Sequence, residues 1–555
     1  MLTSCARQEP ADLVLTGGKV LTVDPAFSIH SAVVIRDGKI LAVGDDAIAQ
    51  RYQARQTIDL KGRVLMPGFT DTHLHVFGRG RRDVEVESAT SIAQIQERVR
   101  DKAKELGPGQ WITGYGWDEA KFSEQRNIVA ADLDVAAPDN PVALTRAGSH
   151  SIVGNARAMQ IAGITRTTAD PPQGLIERNE RGEPNGIVRE SLQLYSSHFP
   201  PLEWSEVSES YVATLRSLLA LGITSLMEAS GTIDDEPVGK GGIEQPEPER
   251  LTYRRVREIY ASHGAELPRI ALYINYPGAE RLRAFPFHTG DGDDRVRLGP
   301  IGESAVDGGF TGPSAWTLAD YKGQPGFRGR GRYTDSELQE LVDTSAELGW
   351  QLGLHAIGDA AIVQTVNAYS HALRTSGIVQ KDHRWFLDHF TMMPPEQTMQ
   401  VMAADKIMIA QQPNFSYTLE GRYVQTLDEE RIAHLNSVAT PANKYRLFVA
   451  LGSDNLPIGP MVGLYAATTR RGMSGTVHGA EEAVSIQEAI RMYTASGPYL
   501  TFEEKAKGTI EVGKLADLIV LDGDPLTIAP EQLLHTQVDL TIVGGKVVFD
   551  RSPAR

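Results

Sequence analysis

The chain of 555 residues contains one cysteine, Cys5, which rules out an intrachain disulfide framework and a cysteine metal cluster. Positive charge is also short. Lysines and arginines number 55 against 71 aspartates and glutamates, and a net charge of -16 argues against nucleic acid, whose phosphates need clustered basic side chains. No run approaches the ~20 apolar residues of a membrane-spanning helix. A G-x-S-x-G elbow is missing and Cys5 lies before the first structured segment, so serine and cysteine nucleophiles are disfavoured. "VGGKVV" lacks the hydroxyl residue that follows the lysine of a phosphate-binding loop. The remaining composition, 41% hydrophobic and 23% charged, is ordinary for a globular enzyme, and the expected partner is a small-molecule substrate.

The opening "MLTSCARQEP" carries Leu2-Thr3-Ser4-Cys5, which resembles the site at which bacterial lipoproteins are cleaved and acylated, without the charged start and apolar core of a full signal. Read as a lipobox remnant, it implies a lipid anchor at Cys5, a tether over Ala6 to Pro10 and a place in the bacterial envelope or periplasm; otherwise the protein is cytoplasmic.

Both chain ends are β-rich and broken by Gly-Gly: "LVLTGGKVLTVD" (13–24) and "LTIVGGKVVFD" (540–550). A Gly-Gly pair is a hairpin signal, as are Asp37-Gly38 and, by position, Lys61-Gly62. Residues 11–66 and 508–553 are therefore expected to form one small antiparallel β-domain, a composite β-sandwich, with 67–507 inserted as a large α/β domain. That middle part alternates apolar runs with helical patterns, as a βα-repeating barrel does. Strand candidates are 222–229, 269–275, 349–358, 384–390, 406–413 and 447–455, and Asp335 is the expected N-cap of a helix over 335–348. Residues 80–205 are too long for one connection and form an expected α/β insertion after the first barrel strand.

"MPGFTDTHLH" places His73 and His75 on one face of a strand, a few ångströms apart. His355, His389 and Asp454 each end a further strand candidate. In a barrel, the C-terminal strand ends share one face, so these five side chains converge although hundreds of residues separate them. Taken singly, each is more often a buried histidine or a loop aspartate; five at strand ends, one pair spaced His-x-His, point to a metal. Imidazoles and carboxylates without thiolates suit Zn²⁺ or a similar divalent ion.

"MPGFTDTHLH", "LHAIGD", "DHF", "GSDN" and "GTIEVGKLADLIVLDGDP" together resemble the amidohydrolase superfamily, in the amidohydrolase 3 branch of N-substituted formamide deformylase-like proteins. The resemblance spans nearly the whole chain. It implies a (β/α)8 TIM barrel holding one or two divalent metals on His73 and His75 from the first strand, His355 from the fifth, His389 from the sixth and Asp454 from the eighth. This branch usually supplies, from the fourth strand, a CO₂-carboxylated lysine four residues before Asp-Gly; here Glu303 stands four residues before Asp307-Gly308. A glutamate presents the same anionic carboxylate on a shorter arm. Either it replaces the bridging carbamate, or it is a barrel-interior acid beside a single metal.

The implied reaction is hydrolysis of an amide, N-formyl, N-acyl amino acid or carbamate C–N bond, with Asp454 as general base and then acid. His150 in "RAGSHSIVGN" matches a histidine that lies near the substrate in this branch, with Asn155 beyond it, and Trp117 in "GYGWDE" is a candidate pocket wall. Two basic runs, "GRGRRD" and "GFRGRGR", suggest an anionic substrate met by Arg79, Arg81, Arg328 or Arg330, although solvated surface loops explain them as well. Competing functions are a deaminase of a cyclic or aromatic substrate on the same metals, and a catalytically silent envelope binding protein. Oligomeric state is open, a homo-oligomer included.

Overall fold

The computed structural model describes residues 8–76, 80–147, 151–171, 174–242 and 250–552. They form two compact units: 8–76, 212–242 and 250–552 in one, and 80–147, 151–171 and 174–211 in the other. Among the described residues no helix is long and apolar enough to cross a membrane. Cys5 lies outside them.

The first unit is built on eight parallel strands: β1 (Phe69–Leu74), β2 (Ile223–Glu228), β3 (Arg269–Ile274), β4 (Val296–Gly302), β5 (Leu352–Ala356), β6 (Phe386–His389), β7 (Met408–Gln411) and β8 (Val449–Leu451). Each pairs with the next in sequence order, which is the expected (β/α)8 barrel. β1, β2 and β3 are buried along their whole length, as parallel strands covered on both faces must be. Among the described residues β8 and β1 share no ladder. The loop after β8 closes the ring instead, with the Asp454 N–H donating to His73 O (2.8 Å) and the Ser453 N–H to Asp71 Oδ1 (2.9 Å).

Two further sheets belong to this unit. One has four strands, in the order Lys39–Gly44, Ala32–Arg36, Glu9–Thr16, Tyr52–Asp59. The other has six and draws on both chain ends, with Leu518–Leu521 and Val538–Val543 beside Val64–Pro67 and Lys19–Leu21. Leu13, Val33 and Ile35 of the first pack with Leu65, Leu518 and Ile542 of the second.

Three local expectations are corrected. The sheets are mixed, not antiparallel: Glu9–Thr16 runs parallel to Tyr52–Asp59, and Lys19–Leu21 parallel to Val64–Pro67. Gly17-Gly18 and Lys61-Gly62 are not hairpins but corners where the chain passes between sheets; a Cβ on Gly18 would sit 2.6 Å from the Leu60 side chain. Asp37-Gly38 and Gly544-Gly545 do close hairpins, all four residues at positive φ. The helix Asp335–Glu347 is capped by Thr334, not Asp335, through a capping box with Glu337.

The second unit holds a five-stranded sheet in the order Leu175–Arg178, Pro184–Arg189, Ser151–Gly154, Val142–Arg146, Ile112–Trp117. Helices Ile92–Leu106 and Ala130–Ala136 supply Ile95, Val99 and Leu133 to its core.

Candidate metal centre

All six expected ligand positions stand at C-terminal strand ends: His73 in β1 and His75 just past it, Glu303 directly after β4, His355 in β5, His389 closing β6, and Asp454 beyond β8. Three of them are non-glycine residues with left-handed backbones, at φ 48° for Glu303, 68° for His389 and 53° for Asp454. Such conformations cost of order 1–3 kcal/mol each and persist where the surroundings enforce them, commonly at functional sites. At His389 the gain is visible. Strand alternation would send Asp388 and His389 to opposite faces, but the turned backbone lets both approach the His73 ring.

Glu303 is the hub. Its Oε1 lies 3.2 Å from His355 Nδ1 and 3.9 Å from His75 Nε2; its Oε2 lies 3.9 Å from His73 Nε2 and 3.8 Å from His389 Nε2. His73 and His75 bring their Nε2 atoms within 3.2 Å of each other, and His75 Nε2 is 3.8 Å from Asp454 Oδ1. Two triads have donor atoms within 4.8 Å of one another: His73, Glu303 and His389, and His73, His75 and Asp454.

The nitrogens turned away from this focus have their own neighbours. His75 Nδ1 meets Ser230 Oγ at 2.9 Å, His389 Nδ1 meets Gln412 Oε1 at 2.9 Å, His355 Nε2 is 3.9 Å from Asp307 Oδ1, and His73 Nδ1 faces Asp388 Oδ1 at 3.2 Å, out of line for a hydrogen bond. Burial pushes the His75 and His355 rings down to about 4, which leaves both neutral with lone pairs available at pH 7. Burial also opposes charge on His73, but Asp388 and Glu303 outweigh it and push the ring up to about 10. Burial works against the Glu303 carboxylate too, yet His355 and His73 hold it well below the usual range.

These residues fit a divalent cation on the chemistry of the donors. Glu303 Oε2 and His389 Nε2 are buried and without a hydrogen-bond partner, and both belong to the converging set. Clustered lone pairs and an anionic carboxylate in an apolar interior are unfavourable alone and favourable around a cation.

The amidohydrolase family model matches residues 56–549. The chain belongs to the amidohydrolase family. Among its amidohydrolase relatives, YtcJ of Bacillus subtilis is 28% identical over 97% of this chain and 99% of its own length. The N-substituted formamide deformylase of Arthrobacter pascens is 27% identical over 98% and 99%. Among solved structures, a metal-dependent hydrolase from Pyrococcus horikoshii superimposes with a TM-score of 0.70 at 20% identity, covering 94% of this chain and 99% of that one, and so shares the amidohydrolase fold.

The other candidates that the structure describes have partners or places of their own in this amidohydrolase. Trp117 is 1% exposed in the core of the second unit, where its indole N–H donates to Leu144 O, so it is packing and not a pocket wall. Asn155 caps the helix Ala156–Ile161. Arg328 is exposed and paired with Asp320 at 2.7 Å, Arg81 pairs with Glu105, and Arg330 is exposed. Arg79 and His150 lie outside the described residues.

The sequence reading passed over Arg332, the last residue of "GFRGRGR". It is exposed, its N–H donates to Val306 O, and the Val306 N–H donates to His355 O. Its positive charge is among the smaller influences on both His355 and Asp307.

Proposed function

We propose that the chain is a metal-dependent amidohydrolase cleaving an amide, N-formyl, N-acyl amino acid or carbamate C–N bond in a small molecule. The observation that carries this reading is Glu303, whose carboxylate lies within 4 Å of the rings of His73, His75, His355 and His389. A carboxylate supplied by the chain itself stands where a carbamylated lysine would, so the centre needs no CO₂. The donor set, all imidazole and carboxylate, favours zinc. When bound, such an ion supplies Lewis acidity, polarising a carbonyl and lowering the pKa of water from ~16 toward ~7.

Asp454 has the geometry of the proton carrier. Its Oδ1 accepts the Asn455 N–H at 2.6 Å, which leaves Oδ2 to take a proton from the attacking water. The same oxygen returns that proton to the leaving nitrogen as the C–N bond breaks. The products are an amine and a carboxylic acid or, from a carbamate, an amine and a carbonic acid monoester. For an anionic substrate the partner is Arg332 in place of the paired Arg328, since no ion pair occupies the Arg332 side chain among the described residues.

The name of the Arthrobacter pascens relative supports N-formyl compounds as a first choice of substrate. The test is a panel of N-substituted formamides, N-acyl amino acids, carbamates and aminated heterocycles with zinc-loaded protein. Release of acid and amine is expected; ammonia from the heterocycles with every amide intact would overturn the reading in favour of a deaminase.

A further inference from the structure

Four acids around the histidine cluster are fully buried: Asp71, Glu228, Asp307 and Asp388. Three of them are met by backbone amides. Asp71 accepts from Ser453 (2.9 Å) and His73 (3.3 Å), and Glu228 from Val76 (3.1 Å) and Ser230 (2.9 Å). Asp307 accepts from Ile357 (3.0 Å), Gly358 (2.8 Å) and Trp316 (2.8 Å). Those three carboxylates hold loops in place. Asp388 differs, because neither of its oxygens accepts an aligned hydrogen bond, and its ion-pair contact is His73 Nδ1 at 3.2 Å. A buried carboxylate with no fixed donor is costly, so its position needs a reason beyond packing.

Resting on the reading of the centre as a metal site, we infer that Asp388 is the positioning residue for His73: facing Nδ1 at 3.2 Å, it receives the Nδ1–H once the ring turns into line around a cation, fixes the ring tautomer, and sets how tightly the centre holds that cation. With the proton kept on Nδ1, the lone pair of Nε2 is left for the cation, with Glu303 Oε2 3.9 Å away as a second donor. The other outward nitrogens that make close contacts with neutral partners are those of His75, to Ser230, and His389, to Gln412. A carboxylate partner raises the basicity of a ligating imidazole more than a hydroxyl or amide does. His73 also belongs to both candidate triads, so its tautomer governs the whole centre. Tyr273, whose hydroxyl donates to Thr72 O, packs edge-on against His73 at a centroid distance of 6.0 Å.

The experiment is zinc competition against a chromophoric chelator, using the full chain and its Asp388→Asn and Ser230→Ala variants, with circular dichroism as the check on folding. Asp388→Asn is expected to bind zinc about 10–100-fold more weakly than the parent, the range typical of lost outer-sphere partners, and Ser230→Ala less so. Equal affinity in the parent and Asp388→Asn would overturn the inference while leaving the metal reading intact; a parent that takes up no zinc would overturn both. A second measurement needs no variant. Histidine ¹⁵N spectra of the zinc-loaded parent are expected to show the His73 proton on Nδ1, and a proton on Nε2 would overturn the inference.

Discussion

The two ends of the barrel treat buried charge in opposite ways. At the N-terminal end Arg269, 2% exposed at the start of β3, donates to both oxygens of Asp517 (2.7 and 3.1 Å) and to Asp294, while the Gly544 N–H adds a further bond to Asp517. Each charge of this pair is answered by the other, across 248 residues of sequence, and the pair ties β3 to the sheet built from the chain ends. At the C-terminal end Glu303, His389 and Asp388 are as deeply buried, yet each keeps at least one atom without a hydrogen bond. Burial alone therefore does not distinguish structure from function. What distinguishes them is whether the interior supplies the partner or leaves the place open to something from outside.

Substitutions at the two ends should separate accordingly. His73→Ala removes the ring shared by both triads and is expected to lower kcat/KM on the order of a thousand-fold, in line with the several kcal/mol that Lewis-acid stabilisation contributes, with zinc per folded chain falling alongside. Steady-state kinetics beside zinc analysis of the folded fraction checks both halves. Arg269→Ala should do the reverse. It leaves Asp517 buried and uncompensated, costing about 3–5 kcal/mol in urea unfolding, while zinc per folded chain stays at the parental value.

The Asp517 pair also predicts a pH signature. Burial resists ionisation of Asp517, but Arg269 outweighs it and holds the carboxyl below the usual 3.8. A depressed folded value stabilises the protein above the unfolded pKa, and that contribution is lost as pH falls below about 4 through the folded value. Unfolding free energies between pH 5 and 2.5 should fall more steeply for the parent than for Asp517→Asn; parallel curves would contradict the assignment. The smallest effect expected is at the rim. Arg332→Ala should raise KM about ten-fold for N-acyl amino acids and leave neutral amides unchanged, the loss of one charged hydrogen bond, while Arg328→Ala changes neither.

The sequence disclosed what is local and periodic. Apolar runs located the barrel strands, and the residues closing them named the histidines, because a strand end in a barrel is also a place on its active face. It did not disclose which partner a side chain finds across the fold. Gly17-Gly18 looks like a hairpin until its strands are seen in separate sheets, and Arg328 looks available until Asp320 is found beside it. Trp117, flanked by acids and glycine in the sequence, is core because its neighbours in space are Leu144 and Phe122. Asp388 was in view throughout, next to His389 in "DHF", but alternation along an ideal strand points it away. With a left-handed backbone at His389, both side chains meet the His73 ring.

The most direct test of the central claim is zinc content after stripping with a chelator and equilibrium dialysis against zinc, for the parent and His73→Ala side by side. At least one equivalent bound per parent chain and a clear loss in the variant are predicted. A parent that stays metal-free, or a variant that loads equally, would contradict the assignment of the Glu303-centred cluster as the metal site.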